Sequence, residues 1–118
     1  MLNLKLIPVK IKENPCTCFG MTITNPRAVS LDKYLTITAQ VEFKEHSNSK
    51  LRMDIALMND NDEILLVQKG DVFLASAGFF LLEESISQSH LKYRYPSIYE
   101  ELAYVLISPI APFVHEEE

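Results

Sequence analysis

Residues 50–73 constrain the fold of this chain more than any other stretch, because strand, turn and strand can all be identified there. Apolar and polar residues alternate through residues 51–57, which is the pattern of a half-buried strand. Residues 59–62 are four consecutive Asn and Asp residues, whose side chains bond to their own backbone and favour a turn. Residues 63–67 then return as a second apolar run. The sequence therefore predicts a long antiparallel hairpin.

The clearest alternation in the chain lies just before this hairpin, at residues 34–43. One face carries Leu, Ile, Ala, Val and Phe and the other carries Thr, Gln and Glu, as in a sheet with one packed face and one face in water. Residues 2–12 also alternate but contain Pro8, which cannot donate to a strand ladder and so predicts an edge or a bulge. Residues 16–24 indicate another short strand, which an Asn-Pro pair should end.

Beyond the hairpin the pattern no longer separates helix from strand. Residues 79–86 are mostly apolar without a clear period, and we favour a helix there over a strand. Ser97 precedes Glu100 by three residues, which is the spacing of a capping box, and apolar residues follow at helical spacing. We therefore predict a C-terminal helix over residues 98–106, with a strand over residues 99–107 as the alternative.

Composition limits the classes of protein to which the chain can belong. A length of 118 residues predicts one domain over residues 1–118. The net charge is -5 and the 11 basic residues are scattered, which argues against nucleic acid as a partner. No apolar run approaches the ~20 residues that span a bilayer, and residues 1–10 lack the pattern of a secretory signal. We therefore expect a cytoplasmic protein without a membrane partner, in which Cys16 and Cys18 stay reduced.

No residue pattern in the chain predicts catalysis or metal binding. The acidic turn at residues 59–63 lacks the Gly and Glu positions of a calcium-binding EF-hand loop, so a solvated turn is the better interpretation. Cys16 and Cys18 could supply two thiolates to zinc, but the histidines are isolated in sequence and no second paired motif follows. No nucleophile stands out with a base and an oxyanion site. We therefore expect no enzyme activity, no cofactor and no metal.

Three short motifs follow one another between residues 51 and 113. They are LRMDIALMNDNDEILLVQKGDVF from residue 51, YPSIYEELAYVL from residue 95 and SPIAPF from residue 108. Their order and spacing resemble the SecB-type export chaperones, in which a central hairpin is followed by an aromatic-Pro helix start and a Pro-rich segment. The chain departs from that family at Leu66, where the family has an acidic residue that docks the translocation motor, and at Tyr99, where it has an arginine.

The resemblance implies an α+β fold in which an antiparallel β-sheet meander precedes a C-terminal helix. It also implies an ATP-independent chaperone that binds unfolded or exported polypeptides through apolar surface. The client-binding groove of such a chaperone would be lined by Phe73, Phe79, Phe80 and Leu82, because non-directional burial can hold chains of many sequences. More apolar surface than one sheet and helix can cover also predicts a homo-oligomer.

A fainter likeness is to immunoglobulin-like β-sandwich modules, which also contain a hairpin of apolar strand, Asp/Asn turn and apolar strand. That likeness implies an all-β sandwich in which residues 79–86 and 99–107 are strands. It also implies a non-enzymatic protein-interaction module that binds a folded partner and keeps the same phenylalanines in its core. The two interpretations therefore differ in the secondary structure of two short segments.

Overall fold

Strands make up most of the structure, a computed structural model that describes residues 4–12, 21–31, 33–44, 50–70, 72–74 and 78–110. In chain order the elements are β1 (Leu4–Ile7), β2 (Val9–Ile11), β3 (Met21–Leu31), β4 (Tyr34–Phe43), β5 (Lys50–Met58), β6 (Ile64–Gln68), β7 (Val72–Leu74), β8 (Gly78–Ser87), α1 (Gln88–Arg94), α2 (Ile98–Glu101) and β9 (Tyr104–Ile110). Both helices are short and lie between the last two strands.

The strands form two sheets that pack around one apolar core. The first sheet has the order β1-β3-β4-β8 and is antiparallel throughout, and the second has the order β2-β9-β5-β6. β6 and β7 both pair with the same edge of β5, β6 with its second half and β7 with its first residues. β9 pairs with the other edge of β5. The fully buried residues come from both sheets and include Leu35, Ile37, Val41, Leu51, Ile55, Leu57, Val105 and Ile107. Leu91 of α1 and Ile98 of α2 join the same core, so the helices pack onto this sandwich.

The structure confirms the predicted hairpin and the strand before it. β4 covers residues 34–43, and β5 pairs antiparallel with β6. In the turn between β5 and β6, Asn59 Oδ1 accepts 2.9 Å hydrogen bonds from the backbone N–H groups of Asn61 and Glu63. The Asn59 side chain therefore closes the turn by bonding to the local backbone, which is the property from which the turn was predicted.

The two prolines predicted to interrupt strands act in different ways. At Pro26 the chain stays in β3, where a register shift and a φ of 50° at Asn25 accommodate the Asn-Pro pair, so the predicted strand end is wrong. At Pro8 the chain leaves the first sheet for the second, since β1 pairs with β3 and β2 pairs in parallel with β9. The Pro8 carbonyl accepts a 2.9 Å hydrogen bond from Val105 N. Both β1 and β2 are edge strands, which confirms the edge predicted from Pro8.

Residues 79–86 form a strand, and the helix predicted there is wrong. β8 pairs antiparallel with β4 along its whole length of ten residues. Leu82 and Ile86 face the core while Phe79 and Leu81 face solvent, so apolar residues on both faces hide the period of two in the sequence. The long ladder along β4 decides the conformation, because it satisfies the backbone of β8 and buries its inward face.

The predicted C-terminal helix is also wrong beyond its first turn. α2 ends at Glu101, and Ser97 makes no capping bond to the helix backbone but donates to Glu101 Oε2 at 2.6 Å. β9 follows, held by β2 on one side and by β5 on the other. Val105 and Ile107 are fully buried there. Hydrogen bonds on both sides and this burial outweigh the helical spacing of the sequence.

These two corrections overturn the predicted α+β fold with a sheet meander and a C-terminal helix. The fold is closer to the all-β sandwich that was its alternative, because strand residues far outnumber helical ones in the described ranges. The early strands do not form one meander either, since the successive strands β4 and β5 lie in different sheets. The narrower immunoglobulin-like assignment stays a prediction.

Candidate functional site

The two lateral sides of the sandwich differ in their edge strands. On the closed side, β1 and β2 are four and three residues long and follow one another through Pro8. On the open side, the first sheet ends at β8, which has ten residues, and the second ends at β6 and β7. Among the described residues β8 pairs with no strand but β4, so no described strand covers its outer edge. A long edge of this kind is a template for strand pairing.

β8 is apolar in its first half and, apart from the buried Ile86, acidic or polar in its second. Phe79 and Leu81 point outward and are 61% and 65% exposed. Glu83 follows on the same outward face and is exposed, whereas Glu84 is half-buried on the inward face. A charge that points inward from an edge strand opposes further strand pairing. Residues 78–82 are therefore the part of this edge that most readily accepts another strand.

A cleft of about 180 Å³ lies between the edge strands of the open side. Its lining residues are Met53, Gly70, Phe73, Leu81, Leu82, Glu83 and Glu84. An apolar cavity of about 150 Å³ accommodates benzene, whereas drug-sized ligands need pockets of about 300 Å³ or more. The cleft therefore suits one large apolar side chain better than it suits a cofactor.

One wall of the cleft depends on the break between β6 and β7. At Gly70 the chain passes so close to β5 that a Cβ atom there would collide with the carbonyl oxygen of Met53. The Gly70 N–H donates to Asp54 Oδ1 at 3.4 Å, and the same carboxylate accepts hydrogen bonds of 2.7 and 3.0 Å from Arg52. This bond to Asp54 raises the pKa of Arg52, because it favours the charged guanidinium. Gly70 and Asp54 thus fix the position at which β6 gives way to β7.

Three of the four residues predicted to bind clients lie on the open side. Phe73 and Leu82 line the cleft, Phe73 half-buried and Leu82 only 8% exposed. Phe79 lies on the outward face of β8, next to the cleft residues. The side chain of Phe80 is outside the described part of the structure. Leu81 is the residue of this surface that the sequence pattern did not identify, although a period of two along the strand would have shown it.

The C-terminal tyrosines make local contacts around the crossover from β8 to β9. Tyr95 OH donates to Glu101 Oε1 at 2.9 Å, and this bond raises the pKa of Tyr95. Hydrogen bonds from Ser97 and Tyr95 together lower the pKa of Glu101. Tyr104 OH donates to Asp62 Oδ1 at 2.7 Å, which raises the pKa of Tyr104. These contacts tie the crossover to itself and to the turn between β5 and β6.

Metal-ligating side chains do not converge within the part of the chain that the structure describes. No group of three or more His, Cys, Asp or Glu side chains there could hold a metal ion. The candidate thiolates Cys16 and Cys18, with His46 and His115, lie outside the described residues. None of the described helices has the length and apolar character needed to cross a membrane.

Comparisons of the chain with protein-family models, with curated proteins and with solved structures found no match. The resemblances to SecB-type chaperones and to immunoglobulin-like modules therefore stay predictions. A function has to be inferred from the open side itself, that is, from its edge strand and its cleft.

Proposed function

We propose that this chain is a non-enzymatic β-sandwich protein-interaction module that binds an extended polypeptide by adding it as a strand to β8. The observation that carries this proposal is the ten-residue edge strand, which exposes Phe79 and Leu81 beside a largely apolar cleft. In strand addition, main-chain hydrogen bonds supply affinity and pockets for alternate side chains supply specificity. The open side offers both an edge and a pocket.

Three contributions have to combine, because none of them is large enough alone. Covering Phe79 and Leu81 contributes at most roughly 3–6 kcal/mol, at roughly 1.5–3 kcal/mol for each side chain. Association costs roughly 4–15 kcal/mol before any side chain is ordered, which is more than this over most of the range. Backbone hydrogen bonds to residues 78–82, at roughly 0.5–1.5 kcal/mol each, and one side chain in the cleft have to supply the surplus. The partner is therefore an extended apolar segment and not the folded partner that the immunoglobulin-like likeness implies.

Strand addition can be tested with the full chain, isotope-labelled for NMR, and the synthetic peptide acetyl-Thr-Gln-Leu-Val-Thr-Val-Thr-amide. The backbone amide signals of residues 78–82 should shift on titration, because this edge gains a strand. In an extended peptide, alternate residues direct their N–H groups to opposite sides. N-methylation of one alternate set should therefore abolish binding, and methylation of the other set should leave it intact. Equal effects of the two sets, or no shift at residues 78–82, would contradict the proposal.

A second candidate function is an ATP-independent chaperone that holds unfolded polypeptides. The exposure of Phe79 and Leu81 favours it, because burial of apolar surface is non-directional and accepts many sequences. Suppression of the aggregation of several unrelated unfolded substrates without ATP, lost in Phe79→Ser, would support this function. Peptide binding at β8 without any suppression would exclude it and leave the interaction module.

A further inference from the structure

Resting on the proposed function, we infer that the bound segment lies antiparallel to β8 and carries a Lys or Arg directly before a large apolar residue. From its N-terminus the segment reads cation, large apolar, apolar, any residue, apolar. These five positions lie opposite Glu83, Leu82, Leu81, Phe80 and Phe79 of β8.

Glu83 sets the charge of the first position. Its side chain is exposed on the outward face, and it forms no ion pair within the described part of the chain. Its cross-strand neighbour on β4 is Thr38. The nearest cation along the same line of paired residues is Arg27 on β3. Two strand spacings place the Cα of Arg27 about 9–10 Å from the Cα of Glu83. Opposite charges on facing positions of neighbouring strands attract, and like charges repel. The net charge of -5 adds a long-range preference for a cationic partner.

The cleft sets the size of the second position. A residue opposite Leu82 faces inward, as Leu82 does, and so points between the two sheets. The volume of about 180 Å³ there fits a benzene-sized group. Leu, Met or Phe at this position would cover the exposed part of the half-buried Phe73, whereas Gly or Ala would leave it in contact with water.

The direction of the segment follows from the first sheet, which is antiparallel at every one of its described pairings. Antiparallel pairing is slightly more stable per residue and roughly two to three times as common as parallel pairing. In this direction, the residue opposite Glu83 comes directly before the residue that enters the cleft. The reversed sequence would place its cation away from Glu83 whenever its large apolar residue occupies the cleft.

Four peptides test this order on the full chain by calorimetric titration. The peptide acetyl-Thr-Lys-Leu-Val-Thr-Val-Thr-amide should bind more tightly than the versions with Gln or Glu in place of Lys, and more tightly than the reversed sequence. We expect a difference of about twofold to fivefold between Lys and Gln and of about tenfold between Lys and Glu at low salt. Both differences should shrink at high salt, because exposed charges are screened.

Substitutions in the chain provide the matched control. Glu83→Lys should invert the preference, so that the Glu peptide binds more tightly than the Lys peptide. Glu42→Lys makes the same change of charge at an exposed position, but Glu42 lies on β4 opposite Phe79, one strand in from the edge. We expect Glu42→Lys to keep the order of the peptides.

Two outcomes separate this inference from the proposal on which it rests. Equal affinity for the Lys and Glu peptides, with intact NMR shifts at residues 78–82, would overturn the required cation and leave strand addition in place. Absence of those shifts with every peptide would overturn strand addition itself.

Discussion

The closed side and the open side of the sandwich treat their strand edges in opposite ways. On the closed side the described edges are short and interrupted by Pro8, so neither β1 nor β2 offers a long row of backbone groups. On the open side β8 keeps ten residues, and the inward-pointing Glu84 discourages pairing in its second half. The first half of β8 has no charged residue or proline to oppose pairing and instead exposes Phe79 and Leu81. Among the described edge strands β8 is the longest, and its first half combines exposed apolar side chains with the cleft, which gives a partner strand a defined place.

The largest expected effect concerns the wall of the cleft on the open side. Gly70→Ala should lower the free energy of unfolding by about 3 kcal/mol, because the new Cβ collides with the Met53 carbonyl and the break between β6 and β7 has to shift. Gly78→Ala is the control, because its Cβ meets nothing within 4 Å. Only the strain of a φ of 132° should lower its free energy of unfolding, by of order 1 kcal/mol. Urea unfolding followed by circular dichroism measures both variants. Equal losses would show that the contact at Gly70 is not tight.

The next effect compares matched leucines on the two sides. Leu81 on the open side and Leu6 on the closed side are 65% and 71% exposed. Leu81→Ser should weaken binding of the Lys peptide about tenfold, which corresponds to about 1.4 kcal/mol, because the added strand covers this side chain. Leu6→Ser should leave the dissociation constant unchanged in the same titration. Equal weakening by both variants would mean that the peptide binds exposed apolar surface wherever it occurs.

The sequence was sufficient to predict strands that have one apolar and one solvent-exposed polar face. It was insufficient to predict strands that are apolar on both faces. β4 could be predicted because Thr, Gln and Glu mark its outward face. In β8 the outward face carries the apolar residues Phe79 and Leu81, so no polar residues distinguish it from the inward face. In β9 the pairing with two neighbouring strands outweighs the helix that the capping pattern at Ser97 predicted. Phe73 and Phe79 were identified from the sequence as candidates for binding. Their placement at an edge beside a cleft could not be predicted, because it depends on which distant strands end each sheet.

Self-association, expected from the sequence, should be weak and should run through the edge of β8. Phe79 and Ile64 are matched in exposure, at 61% and 60%, but Ile64 lies on β6. Sedimentation velocity at increasing concentration should show association that Phe79→Ser reduces and Ile64→Ser does not. An excess of the Lys peptide should reduce it as well, because both events use β8. A sedimentation coefficient that stays that of a 13.5 kDa monomer would contradict self-association.

The smallest effect concerns the crossover that follows β8 and returns the chain to β9. Hydrogen bonds from Ser97 and Tyr95 lower the pKa of Glu101 in the folded chain. Their stabilisation is therefore present above the unfolded pKa of this carboxyl and is lost as the pH falls through the folded pKa. Ser97→Ala should raise the pKa of Glu101 in an NMR titration, with little change in the unfolding free energy. Ser87→Ala removes the cap of α1 instead and should leave that pKa as it is; an unchanged Glu101 pKa in Ser97→Ala would show that the serine bond has no net effect.

The crossing at Pro8 also bears on how the sandwich moves. One continuous segment is hydrogen-bonded to β3 in one sheet and to β9 in the other, so the sheets cannot separate along the closed side without breaking at least one of these two ladders. Along the open side no described strand is shared by the two sheets. On that side residues 75–77 join β7 to β8, so breathing of the sandwich should widen only the part of the gap that lies beyond this connection. Similar affinities of peptides with Leu, Met or Phe at the second position would report this motion, which lets one cleft adjust to side chains of different sizes.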